Sequence, residues 1–165
     1  MRTIVRLAAL AVLGPAAASG LALAATASSA SASSASVRTS VFEAQVVSQT
    51  NAARVRAGCE KLRVSRSLAK AAESHSREMA RRDFFSHTGA DGSRFTQRTK
   101  EAGFTSQPMG ENIAWGYKNA EGVTRGWLRS PGHRRNMLNC RSTLIGVGAV
   151  RNSDGVLYWT QEFGK

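Results

Sequence analysis

The sequence predicts an α+β domain, with helices first and an antiparallel hairpin closing the chain. Three observations carry this reading. Residues 67–82 repeat Leu68, Ala71, Ala72, His75 and Met79 at helical spacing. Residues 143–150 and 156–163 are both β-rich. Between them, Arg151-Asn152-Ser153-Asp154-Gly155 ends on the Asp-Gly turn signal of a hairpin. Such an order builds layers around one core.

Taken in order, residues 1–25 read as a secretory signal peptide. Met1-Arg2-Thr3-Ile4-Val5-Arg6 is a short basic start, and an apolar stretch follows as far as Leu23. Gly14-Pro15 and Gly20 interrupt it, and two A-x-A patterns end it, so cleavage is expected rather than a retained membrane anchor. Residues 26–39 are Ala/Ser-rich and bury too little to fold, which predicts a disordered linker. Residues 40–165 are then one domain, without internal repeats.

Within that domain the first helix is expected over 41–57, with Phe42, Val46, Ala53 and Ala57 on one face and Gly58 as its stop. The second, 67–82, takes Ser65 or Ser67 as N-cap. His75 lies on its apolar face and is read as a core residue that does not reach the cleft. Residues 93–102 form a more polar helix stopped by Gly103. The run 109–115 reads as a strand whose alternation puts Glu111, Ile113 and Trp115 on one face. A short helix is expected over 121–128, and another begins at Ser130-Pro131, serine as cap and proline in the first turn.

Composition narrows the function. The formal charge is +12, and +10 without Arg2 and Arg6 of the signal. Such a surface favours anionic partners outside the cell: wall polymers, phospholipid head groups or acidic polysaccharide. The cations are spread along the chain with no nucleic-acid recognition motif, so no specific nucleic-acid role is expected. Cys59 and Cys140 are the only cysteines, and in an exported protein they are expected to form a disulfide. The chain has no G-x-S-x-G elbow and no phosphate-cradling G-x-x-x-x-G-K. Gly146-Val147-Gly148 falls inside a strand and lacks the third glycine of a dinucleotide site.

His87, Glu111 and His133 are the candidate functional residues. His133 would sit in the first turn of its helix, where the dipole and free N–H groups favour a neutral imidazole. Glu111 would be part-buried and in need of a cation. Two imidazoles and one carboxylate can hold a divalent metal with a position left for water. They can equally tie loops together through hydrogen bonds. Ser130, capping the helix of His133, is placed with them in the cleft.

These segments carry a family resemblance. Asn51-Ala52-Ala53-Arg54, Phe85-Ser86-His87, Gly110-Glu111-Asn112-Ile113-Ala114, Trp127 before Ser130-Pro131-Gly132-His133, and Ile145-Gly146-Val147-Gly148 together resemble the CAP superfamily of cysteine-rich secretory, antigen-five and pathogenesis-related proteins, in its bacterial, secreted, SCP-like branch. The resemblance implies a three-layer α-β-α sandwich with an antiparallel central sheet and a cleft faced by two histidines and two glutamates. By motif, His87 and His133 are the histidines and Glu111 the first glutamate. The second does not transfer, because its place holds Arg129 or Ser130. The family has no agreed common activity.

The reading that follows is a secreted, monomeric extracellular domain. Its cleft would bind a small ligand, a lipid, a wall component or a divalent metal, with Zn²⁺ held weakly by His87 and His133. No transmembrane segment would remain once the signal is cleaved. The alternative is a metal-dependent hydrolase of peptide or wall material using His87, Glu111 and His133.

Overall fold

The computed structural model describes residues 24–165, with side chains from Thr39 onward. The segment read as a signal peptide lies, up to residue 23, outside the described residues. Helix α1 (Ala24–Arg56) begins well before the expected residue 41 and takes in the Ala/Ser stretch read as a disordered linker. Alanine has the highest helix propensity, so such a stretch can continue a helix that the folded part anchors. Strand β1 (Arg63–Val64) follows, then α2 (Arg66–Arg82), α3 (Phe95–Glu101), β2 (Pro108–Trp115), α4 (Ala120–Arg129), α5 (Pro131–Met137), β3 (Leu144–Arg151) and β4 (Leu157–Gly164). The two-residue β1 is too short to show any periodicity and is not among the expected elements.

The sheet order is β1-β3-β4-β2, parallel only where β1 meets β3. The expected hairpin is β3–β4, turned by Gly155 at φ 80°. Strand β2 pairs antiparallel with β4 and forms one edge. Helices α2 and α3 cover one face, and α1, α4 and α5 pack on the other side, as the three-layer expectation required. The larger core lies on the α1 side and includes Val46, Trp127, Ile145, Leu157, Trp159 and Phe163. On the α2 side, Met79 and Ala80 meet Ile113 and Tyr158.

Gly146 and Gly148 explain how α2 lies so close to β3. A Cβ on either would run into α2 backbone, at Leu68 and Ala69 for one and at Ala72 and Glu73 for the other. The motif is therefore a packing device. Ser76, one turn along, donates to Gly148 O at 3.1 Å, and its Oγ lies within hydrogen-bond distance of the Thr160 hydroxyl at 2.8 Å.

The Asn51–Arg54 motif is structural as well. Asn51 accepts from Leu62 N at 2.8 Å and donates to Leu62 O at 3.0 Å, which fixes the approach to β1. Arg54 is fully buried without a carboxylate partner and donates to four carbonyls, those of Glu60, Met137, Asn139 and Ser142, at 2.8–3.0 Å. Beside it, Cys59 and Cys140 form the expected disulfide.

Glu43 of α1 makes a stability prediction. Its Oε1 accepts from Ala149 N at 3.0 Å. Burial, opposed by that hydrogen bond and reinforced by Glu73, pushes its carboxyl up to about 7. The fold thus prefers the protonated form, and stability falls as pH rises from the ordinary carboxylate range through about 7. Glu43→Gln keeps an acceptor for Ala149 and should be more stable than wild type at pH 8, with the gain gone near pH 4. Thermal melts at the two pH values check this, and an equal gain at both would refute it.

Candidate functional site

The site is built around Glu111 on β2. Alternation turns Glu111, Ile113 and Trp115 toward the α2 side, and Glu111 is buried to the tip, with its side chain 1% exposed. A carboxylate there needs donors, and two elements supply them. Arg98 of α3 donates from Nη2 to Glu111 Oε2 at 2.6 Å and to His87 O at 3.0 Å, and from Nη1 to Ser93 O at 2.7 Å. His87, in the loop after α2, places Nδ1 2.7 Å from Glu111 Oε1. An ionised carboxylate only accepts, so Nδ1 carries a proton and donates it to Glu111, and Nε2 is the ring nitrogen turned away from the carboxylate. The His87 side chain is 56% exposed, so the imidazole bridges a buried anion and solvent.

Burial pushes the Glu111 carboxyl up, but the His87 hydrogen bond and the Arg98 charge outweigh it and hold it below the ordinary carboxylate range. Its neighbour goes the other way. Glu162 of β4 pairs with Glu111 across the strands and is completely buried. Burial first, and then the Glu111 charge, push Glu162 well above its ordinary value, so it is the neutral member of the pair. Neither Glu162 oxygen meets a hydrogen-bond partner at good geometry, although the two carboxyls are close enough to perturb each other.

His75 corrects the sequence reading. It is a buried core residue, as its position on the apolar stripe implied, and donates from Nε2 to Ser86 O at 2.9 Å. Yet the same Nε2 lies 3.9 Å from Glu111 Oε2, so His75 borders the site it was expected to miss. Burial lowers its pKa despite the nearby Glu111, which keeps it neutral.

His133 arrives from the other side of the edge strand. Ser130 ends α4 and caps α5 by its backbone, with Pro131 in the first turn, which puts His133 one turn in. Asn136 stitches α5 to β2, donating to Glu111 O at 3.0 Å and Asn112 Oδ1 at 2.9 Å, while Asn112 donates to His133 O at 3.2 Å. The His133 pKa is lowered, as expected, by burial and then by the neighbouring His87. No hydrogen bond joins the Ser130 side chain to the cap, and none joins it to His87 or Glu111.

A rim of aromatic side chains continues from the histidine. The segment 85–87 runs along β2, so that His87 meets Glu111 and Phe85 meets Trp115, with ring centroids 6.4 Å apart. Trp115 also stacks with Tyr158 at 6.4 Å. Phe85 and Trp115 are 47% and 57% exposed, which is unusual for large apolar groups side by side.

Sequence reasoning missed Arg98, Glu162 and the part played by His75. Arg98 had one available signal: with Phe95 and Ala102 it falls on a single helical face, an inward position for a charge. As for metal, the residues offer two imidazoles and a carboxylate already occupied by Arg98. Among the described residues no group of three or more His, Cys, Asp or Glu converges as a cation site. The donor set therefore does not fit a closed or catalytic metal centre.

Comparison with known proteins agrees with this architecture. The family model described as the cysteine-rich secretory protein family (CAP) matches residues 47–163. The Bacillus subtilis protein YkwD is 39% identical over 125 residues, covering 75% of this chain and 47% of its own length. The B. subtilis membrane protein YlbC is 37% identical over 123 residues, 74% of this chain and 34% of its own. The chain thus spans less than half the length of these curated relatives. A crystal structure of an extracellular SCP-domain protein from Bacillus anthracis superimposes with a TM-score of 0.70 at 31% identity, covering 76% of this chain and 41% of that one. Among the described residues no helix is long and apolar enough to cross a membrane. With the fold, the motif residues and these matches in agreement, the chain belongs to the CAP, or cysteine-rich secretory protein, family.

Proposed function

We propose that this chain is an extracellular binding domain that takes a small organic ligand or wall fragment along the rim formed by His87, Phe85 and Trp115. The observation that carries this is the state of Glu111. Both its oxygens are engaged, one by Arg98 and one by His87, so it orients the imidazole and is poorly placed to act as a general base. What faces outward is a hydrogen-bonding nitrogen beside two exposed aromatic rings, a combination that suits a ligand with one polar and one apolar side. The extracellular reading is supported by the signal-like start of the sequence and by the extracellular B. anthracis relative.

A hydrolase using His87, Glu111 and His133 draws less support, because the carboxylate is committed and no third metal ligand converges. Weak Zn²⁺ binding by the two imidazoles remains the expectation. It should weaken in acid, because an imidazole must be neutral to hold a metal.

Trp115 provides the test. Trp127 and Trp159 are buried, so quenching of tryptophan emission by a rim ligand reports on Trp115. Soluble wall fragments should quench wild type, and His87→Ala should weaken their binding. Calorimetry should find weak Zn²⁺ binding, lost in His87→Ala and His133→Ala. Tight Zn²⁺ binding with chelator-sensitive hydrolysis would establish the alternative. Unchanged fragment binding in both His87→Ala and Trp115→Ala would remove the rim from the proposal.

A further inference from the structure

The positive charge is not evenly matched across the surface. On the α2 side, arginines and acids alternate. A depression of about 480 Å³ there sets Arg77, Arg81 and Arg82 against Glu78, Asp91 and Glu101. Arg77 also pairs with Glu73. Acids thus stand among the cations of that face.

On the opposite layer two depressions adjoin, of about 440 and 410 Å³, and share Arg129. Along them lie Arg56 of α1, Arg125 and Arg129 of α4, and Arg134 and Arg135 of α5. Glu121 is the single acid in the lining, and Arg125 occupies it at 2.9 Å. No carboxylate of the described residues pairs with the other four, and residues 1–38 contain no Asp or Glu. All five arginines are exposed. Leu128, Pro131 and Leu138 provide apolar floor between the guanidinium groups.

We propose that this groove binds a linear polyol-phosphate polymer, the anionic phosphodiester chain of a cell wall. Three features favour that occupant. Guanidinium groups match the two free oxygens of a phosphodiester by paired hydrogen bonds, and several spaced along a track suit repeating charges. Apolar floor between them accommodates the aliphatic stretches that separate successive phosphates. The large exposed apolar side chains, Phe85 and Trp115 among them, all lie outside both depressions, so the groove has no anchor to insert into a bilayer. This site is separate from the rim at His87 and does not rest on the ligand proposed there.

The probe is poly(glycerol phosphate), titrated against the full chain by calorimetry over a series of salt concentrations. Replacing Arg129, Arg134 and Arg135 together by Gln should lower affinity at least tenfold. It should also reduce the slope of log K against log salt by about 2, from roughly 0.7 per neutralised charge on a flexible polyanion. The same three as Lys should keep most of the slope, which separates lost charge from lost fold. Arg77, Arg81 and Arg82 replaced by Gln should change affinity less than threefold, and His87→Ala not at all. The proposal is overturned if the α2-side triple weakens binding as much as the groove triple. It is also overturned if phosphatidylglycerol vesicles or polygalacturonate bind as tightly as the polymer and are lost in the same variant, since the groove would then read charge alone.

Discussion

Arg98→Met is expected to cost about 3–5 kcal/mol at pH 7.5, the range for stranding one member of a buried ion pair. Three of the contacts that hold the site come from this one guanidinium: Glu111 Oε2, the carbonyl of His87 and the carbonyl of Ser93. Without it, Glu111 would face the neutral Glu162 and rely on the half-exposed His87. Arg98→Lys keeps the charge but cannot span all three acceptors, so about 1–2 kcal/mol should be lost. The pH dependence identifies the cause. The Glu111 carboxyl is held low in the fold, so its pairing contributes stability above the ordinary carboxylate value of 4.5 and loses it as pH falls through the depressed value. The gap between Arg98→Met and wild type should therefore narrow when urea unfolding is repeated near pH 3. An equal gap at both pH values would mean that packing, and not charge, is what Arg98 contributes.

Arg98 is a residue the sequence did not announce. His87, Glu111 and His133 stand in short runs whose neighbours have visible duties, such as Pro131 opening a helix or Gly110 at a strand start. The positions of α2 to α5, capping by Ser65 and the β3–β4 turn were legible because they depend on contacts within a few residues, whereas the start of α1 was not. Glu162 and Arg98 depend on register between distant segments. Glu162 lies on the same strand face as Tyr158 and Thr160, and only the pairing of β2 with β4 sets it opposite Glu111. Arg98 reads as one more cation on a polar helix until α3 is docked against β2. His75 was placed correctly in the core, but a helical stripe says nothing of which core group it will meet. The carboxyl pair at Glu111 and Glu162 is thus a product of tertiary structure, whereas the exposed imidazole it supports is marked in the local sequence.

The disulfide carries the other large expectation. Replacing Cys59 and Cys140 by Ser should cost about 4.5 kcal/mol in the chain-entropy account, because the bond closes a loop of 81 residues that holds α2 to α5 and the strands β1 and β2. Cys59 follows the end of α1, and Cys140 precedes β3, so the bond fixes the first helix to the start of the closing hairpin. Arg54 does the same work by other means, since three of its four carbonyl acceptors, Met137, Asn139 and Ser142, flank Cys140. The two restraints should therefore be coupled. With the disulfide intact, Arg54→Met leaves carbonyls unsatisfied in a segment that cannot move away, at a cost of about 3 kcal/mol or more. In the serine variant the 137–142 segment can relax into solvent, and the same substitution should cost at least 1 kcal/mol less, within the range for contacting residues. Urea unfolding of the four proteins of that cycle measures the difference. Strict additivity would show that Arg54 and the disulfide restrain the segment independently, and a loss of under about 2 kcal/mol for the serine variant would show that the loop they close is already restricted in the unfolded chain.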